Sequence, residues 1–169
     1  AFYNEVAINK TGALIALPLQ FAALLNGSAN QDTSSARRCG EQLGLAYQIL
    51  DDLKPYATPN NLAADEDIQH RVITAPVAAC STLFPKVDPF HALVNNARLR
   101  SKAIRKCQHW LNTALANARY EATYLSAHSA LVVEHFITGH LITPPIREAQ
   151  STPTYSPWQK QTAVSVEAV

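Results

Sequence analysis

Residues 39–50 set the terms for the whole chain. They read Cys-Gly-Glu-Gln-Leu-Gly-Leu-Ala-Tyr-Gln-Ile-Leu, which on a helix is apolar on most sides. Such a helix has to be buried on several faces by its neighbours. Within it, Gly40 and Gly44 lie four residues apart on one face and permit another helix to approach closely. Composition agrees with a helical answer. The chain is rich in alanine, and only 5 of its 169 residues are glycine. That mixture favours helix over a sheet protein full of tight turns. The charged share is 16%, below the typical figure of about 25%, so a largely disordered chain is excluded. The expected fold class is all-α.

Helical spacing organises the rest. Residues 3–26 read as one helix. Val6, Ala7, Lys10, Ala13, Leu14, Leu17, Phe21, Leu24 and Leu25 recur along it as the expected inner stripe, and Gly27 is a natural stop. A second helix runs over 32–54 and ends at Pro55. Residues 56–71 read as a polar loop. Thr74 with Pro76 opens a short helix over 74–83, and Asp88-Pro89 opens another that bends near Asn95-Asn96. A long amphipathic helix covers 98–125, with Leu99, Ala103, Cys107, Trp110, Leu111, Ala114, Ala118, Ala122 and Leu125 on its apolar face. A last helix covers 129–141 before Pro144-Pro145. The expected organisation is a helical domain over 1–142 and a polar tail over 143–169, without an internal repeat or a strand.

Several function classes are disfavoured. The formal net charge is +1, which gives no global attraction to nucleic acid or anionic membrane. The basic run Arg98, Arg100, Lys102, Arg105 and Lys106 reads as a solvated helix face. The 3 cysteines are far apart and the 6 histidines have no ligand spacing, so neither a zinc cluster nor a disulfide framework is indicated. A reducing compartment, the cytoplasm by default, is expected. No run reaches the ~18 continuous apolar residues of a membrane span, and no signal peptide is evident. The chain contains no methionine and begins inside a helical pattern without a cap, so a preceding segment is expected.

Three spots carry possible chemistry. Asp51 and Asp52 are adjacent carboxylates at the C-terminal end of a very apolar helix. Like charges repel there, and negative charge is unfavourable at that end by up to about 1 kcal/mol. A hard divalent cation would resolve both conflicts, and Gln48 can share their face. A solvated helix end with two surface aspartates is the plainer alternative. Lys10-Thr11 interrupts an apolar helix. A lysine among inward positions needs an anionic partner such as phosphate, unless its stem carries it out to solvent. Asp67 and Arg71 lead into the Thr74 helix start and either meet an anion or simply belong to a charged loop.

In order along the chain stand Lys10-Thr11-Gly12-Ala13-Leu14, then Gly44-Leu45-Ala46-Tyr47-Gln48-Ile49-Leu50-Asp51-Asp52, then Asp67-Ile68 and Arg71-Val72-Ile73-Thr74-Ala75-Pro76-Val77. This series resembles the C-terminal half of trans-isoprenyl diphosphate synthases, the polyprenyl synthetase family. The resemblance covers residues 3–77 by motif. It implies an all-α bundle of the isoprenoid-synthase type with a deep cavity, and condensation of an allylic diphosphate with isopentenyl diphosphate, the homoallylic partner. It implies Mg²⁺ bound by Asp51 and Asp52, diphosphate contacts from Lys10 and Arg71, and catalytic roles for Lys10, Thr11 and Gln48. The expected partner is the N-terminal half or a second subunit of the synthase, and the expected assembly is a dimer, with no nucleic acid. The motif is degenerate. Pro55 stands where the family's second aspartate-rich motif has its final Asp, Lys54 precedes it, and Val72 stands where a lysine is common. The family's first DDxxD motif belongs upstream of Lys10. A non-catalytic regulatory subunit of a synthase is therefore the alternative function, and a helical interaction module a third. The cyclase metal triad found on the same fold is absent from this sequence.

Overall fold

In the computed structural model the structure describes residues 2–27, 30–57 and 59–142. No strand occurs among them, as the composition implied. A first helix comprises α1 (Phe2–Ala7), a π-turn (Ile8–Gly12) and α2 (Ala13–Leu25). Next come α3 (Asn30–Leu53) and the 3-10 turns Lys54–Ala57 and Pro59–Ala64. α4 (Glu66–Gln69), α5 (Ala75–Leu83), α6 (Pro89–Asn95), α7 (Ala97–Ala122) and α8 (Ala127–Phe136) follow, and a π-turn (Ile137–Leu141) closes the described chain. The expected polar tail over 143–169 lies outside the described residues.

The α3 helix is central. It packs against the first helix on one side and against α7 and α5 on another. Cys39, Leu43, Ala46, Ile49 and Leu53 are buried along it, as the all-round apolar pattern required. The α7 helix buries Ala103, Cys107, Leu111, Ala114, Leu115, Ala118 and Ala122, nearly the face that the spacing predicts. Leu99, Trp110 and Leu125 pack half-buried at its margin. The α6–α7 junction is a break rather than a bend. Asn96 leaves helical geometry at φ −126° and caps α7 by accepting from the Leu99 amide at 3.1 Å. The short α4 falls in the stretch expected to be loop, and Asp65 caps it by accepting from Ile68 N at 3.2 Å.

The first helix overturns one expectation. Its buried residues are Tyr3, Ala7, Gly12, Ala16 and Ala23. Val6, Leu14, Leu17, Phe21, Leu24 and Leu25, expected inside, are exposed. Two physical causes account for this. The π-turn puts an extra residue into one turn, so the inner stripe jumps from Ala7 to Gly12. The surface it must meet is the glycine face of α3. A Cβ on Gly40 would overlap the Ala16 backbone, and one on Gly44 would overlap Gly12 and Thr11. Only small residues fit such a seam, so the large ones turn outward. By length and mean hydropathy (1.4 over its most apolar window), the helix Phe2–Leu25 is long and apolar enough to cross a membrane. That one such helix lies at the start of the sequence is weak ground for a span, and in the fold it is a layer packed on α3.

The seam predicts a steep steric response. Gly44→Ala and Gly40→Ala each place a methyl against backbone that cannot rotate away, a cost of about 1–3 kcal/mol or more. Gly12→Ala meets Glu41 backbone atoms at 3.1 Å and should cost less. Urea unfolding of the three variants would show midpoints ordered Gly12→Ala above the other two. Equal midpoints would mean the helices do not touch through these glycines.

Candidate functional site

The seam fixes what stands beside the end of α3. With Gly12 laid on Gly44, Thr11 comes next to Gln48 and donates its hydroxyl to Gln48 Oε1 at 3.0 Å. One helical turn further on, Gln48 Nε2 donates to Asp52 Oδ1 at 2.9 Å. The other oxygen of Asp52 accepts from the Tyr3 hydroxyl at 2.8 Å and from the Ala75 amide at 2.7 Å. Three elements are thus tied to one carboxylate: the first helix, α3 and the start of α5. Thr74 is the N-cap of α5 by position, but its side chain makes no cap bond. Asp52, from a different helix, satisfies the first amide of α5 instead.

The two aspartates divide. Asp52 is buried, at 9% exposure, and its carboxylate is committed to protein donors. Asp51 points outward and takes Lys54 Nζ at 2.6 Å. Lys54 is a favourable charge at a helix C-terminus and offsets the unfavourable one before it. Gln48 was expected to share a face with both aspartates, but it pairs with Asp52 alone. Burial pushes the Asp52 carboxyl above its ordinary range. The amide of Ala75, Gln48 and the Tyr3 hydroxyl work against that rise, while the neighbouring Asp51 charge adds to it. Burial and then the Asp52 charge push the Tyr3 phenol well up.

The other expected residues lie as follows. Lys10 is exposed, on the same outward side as Val6 and Leu14. The π-turn places it there, so it needs no buried anion, and its stem reaches solvent. Arg71 adopts a left-handed backbone, φ 54°. Its guanidinium pairs with Asp88 at 3.2 Å and covers the Phe90 ring at 4.4 Å. The structure therefore brings Thr11, Gln48 and Asp52 together, sets Lys10 and Asp51 at their margins in solvent, and turns Arg71 toward α6. Tyr3 and Ala75 are site residues that sequence reasoning missed. They lie 49 and 23 residues from Asp52, and no local pattern signals either contact. Among the described residues no group of three or more His, Cys, Asp or Glu is arranged to hold a metal ion.

The family model for polyprenyl synthetase matches residues 1–113. This chain belongs to the polyprenyl synthetase family. The family match runs well past the motif region, through α6 and into α7. Among similar proteins is a decaprenyl-diphosphate synthase of Dictyostelium discoideum, 35% identical over 89 residues, which are 51% of this chain and 20% of that protein. Solanesyl diphosphate synthase 3, chloroplastic/mitochondrial, of Arabidopsis thaliana is 33% identical over 51% of this chain and 21% of its own length. A geranylgeranyl diphosphate synthase of Cyanophora paradoxa is 40% identical over 50 residues, 30% of this chain and 17% of that protein. The matched region thus spans about a fifth of the relatives' length. No solved structure matches the chain significantly.

The position of Asp52 has a cost that pH exposes. Its carboxyl is pushed up in the folded state, so in the pH interval between the unfolded and the folded titration the native protein holds a proton there that the unfolded chain has already lost. Stability then falls as pH rises from about 4 through the raised folded value. Asp52→Asn keeps an acceptor for Tyr3 and Ala75 and removes this titration. Urea unfolding from pH 3.5 to 7 should show wild type losing stability relative to Asp52→Asn as pH rises. A wild type that gains on the variant over that range would contradict the assignment.

Proposed function

We propose that this chain forms one wall of a trans-prenyl diphosphate synthase site. The observation that carries the reading is the contact of Thr11 with Gln48 across 37 residues. It joins the Lys-Thr motif to the helix end bearing Asp51 and Asp52, within a chain of the polyprenyl synthetase family. In the proposed reaction the allylic C–O bond breaks and diphosphate leaves. The double bond of isopentenyl diphosphate then attacks the allylic carbon, and a proton is lost. Lys10, an exposed cation beside Thr11, would meet a diphosphate oxygen. Arg71 could do so only by leaving Asp88.

The family is metal-dependent, and Mg²⁺ demands six near-octahedral oxygen ligands. On this chain the donor set does not fit that need. Asp52 is engaged, Asp51 shares its charge with Lys54, and no third carboxylate joins them among the described residues. Asp51 is the one member of the pair that reaches solvent. We propose that metal is held chiefly by ligands outside this chain. The exposed face of Leu14, Leu17, Phe21 and Leu24 is proposed to pack against the remainder of the synthase fold, in an upstream half or a second subunit, within a dimer. A reducing compartment such as the cytoplasm suits the three buried free thiols.

Pro55 at the position of the motif's last aspartate, with Lys54 on Asp51, favours a second reading, a regulatory subunit that tunes a catalytic partner. Incorporation of isopentenyl diphosphate by the native assembly separates the two. The catalytic reading expects Thr11→Val and Lys10→Ala each to lower kcat by about 100-fold, with KM nearly unchanged for Thr11→Val. The regulatory reading expects unchanged rates in both variants and a product length that shifts when this chain is omitted. Unchanged rates with an unchanged product length would contradict both.

A further inference from the structure

The formal net charge of +1 hides a segregation. Residues 72–118 hold six cations, Lys86, Arg98, Arg100, Lys102, Arg105 and Lys106, and one acid, Asp88. That acid is already paired with Arg71. Arg100 is also spent. It donates to the Leu93 and Val94 carbonyls at 2.9 and 3.0 Å and closes the end of α6. Lys86, Arg98 and Lys102 are exposed, and among the described residues no carboxylate pairs with any of these three. Other surface arginines are matched: Arg37 to Glu41, Arg38 to Glu121 and Arg119 to Glu134. Arg98 also breaks a local rule. It stands in the first turn of α7, which holds no acid, where the helix dipole disfavours a cation.

These cations share a corner with apolar groups. Arg98 and Lys102 are four residues apart on α7 and lie on one face of it. Lys102 Nζ stands 5.7 Å from the centre of the Phe84 ring, so that face adjoins the turn linking α5 to α6. The Val87 amide closes this turn by donating to the Phe84 carbonyl at 3.1 Å. Lys86 belongs to the turn, and Leu83 and Val87 on either side of it are exposed. We propose that this turn and the start of α7 form a docking surface for an anionic lipid bilayer. The cations meet the lipid headgroups, while Leu83 and Val87 enter the headgroup layer. A net charge near zero does not oppose this, because salt screens charges more than about 8–10 Å from the approaching surface. Nucleic acid is the poorer fit. Unpaired bases need exposed rings to stack on, and Phe84 and Trp110 lie half-buried beneath Lys102 and Lys106. Two aliphatic side chains among the cations give a phosphate backbone nothing. The α7 helix runs antiparallel to α3. Ala118 meets Cys39 toward the start of α3, and Trp110 stacks on Tyr3, which reaches Asp52 near its end. The docking corner therefore lies toward the end of the bundle that carries Asp51 and Asp52. The surface itself does not rest on the prenyl-transfer reading.

Co-sedimentation of the full 169-residue chain with lipid vesicles tests this. The probes are vesicles of phosphatidylcholine alone and of phosphatidylcholine with about 30% phosphatidylserine. Wild type should bind the anionic vesicles, bind the neutral ones far more weakly, and leave the anionic ones at about 0.5 M salt. The triple variant Lys86→Gln, Arg98→Gln, Lys102→Gln should bind anionic vesicles about 100-fold more weakly. Leu83→Ser with Val87→Ser should weaken binding by about 10-fold. Lys86→Arg with Lys102→Arg keeps the charge and should keep the binding. Arg37→Gln, near the other end of α3, should change nothing. Equal binding to both vesicles, insensitive to salt, would overturn the proposal and point instead to the uncharged stripe of the first helix. That outcome is read on wild type and needs no variant to fold. Full binding by the triple variant would overturn it as well. So would a triple variant that loses a short duplex RNA but keeps the vesicles, since the surface would then belong to nucleic acid. Failure of wild type to bind anionic vesicles would also sink it, and would leave the prenyl-transfer reading untouched.

Discussion

The first helix and α3 meet backbone against backbone. Gly40 and Gly44 on α3 leave no room for a methyl against Ala16 and Gly12 of the first helix. At that separation each helix reads the other's position to a fraction of an ångström, because nothing in the seam can rotate out of the way. Thr11 lies beside Gly12 and Gln48 one turn beyond Gly44, so the seam sets their distance. Tyr3 reaches Asp52 two turns earlier on the same helix. The site geometry is a consequence of the missing side chains.

The π-turn Ile8–Gly12 is the second constraint, and it works with the first. An extra residue in one turn advances the helix face by about 100°. It lets Tyr3 and Ala7 face the interior before the turn and Gly12 and Ala16 face it afterwards. The same step swings Lys10 outward and leaves Thr11 at the edge of the core. A regular helix would present the large apolar stripe to α3 and would clash with its glycines. The stripe is thus left for another surface, and the catalytic-looking dipeptide sits where the helix is irregular. π-Bulges of this kind are common at functional sites.

Much of this was legible in the chain. The all-round apolar α3, its two glycines, the α7 face and the Asp88 start all follow from spacing and turn chemistry. The family was legible from three ordered motifs. The inner face of the first helix was not, since its hydrophobic periodicity is that of a regular helix and points to Leu14, Leu17 and Phe21. Packing overrode periodicity because the partner surface accepts only small residues. The split of Asp51 from Asp52 was also hidden. The two are equivalent in sequence, and the difference lies in Tyr3 and Ala75, whose contacts come from tertiary structure alone. The placement of Arg71 was hidden for a related reason. Its charge suggested a ligand, while Asp88 and Phe90, 17 and 19 residues on, already occupy it.

The central claim is that this chain supplies the Lys10–Thr11 wall of a prenyl-transfer site. Photolabelling of the native assembly with a photoreactive allylic diphosphate tests it most directly. Peptide mapping should find the label in this chain, within the segments bearing Lys10 and Asp51, and unlabelled allylic diphosphate should displace it. Label confined to another polypeptide, or scattered over this one and indifferent to competitor, would contradict the account.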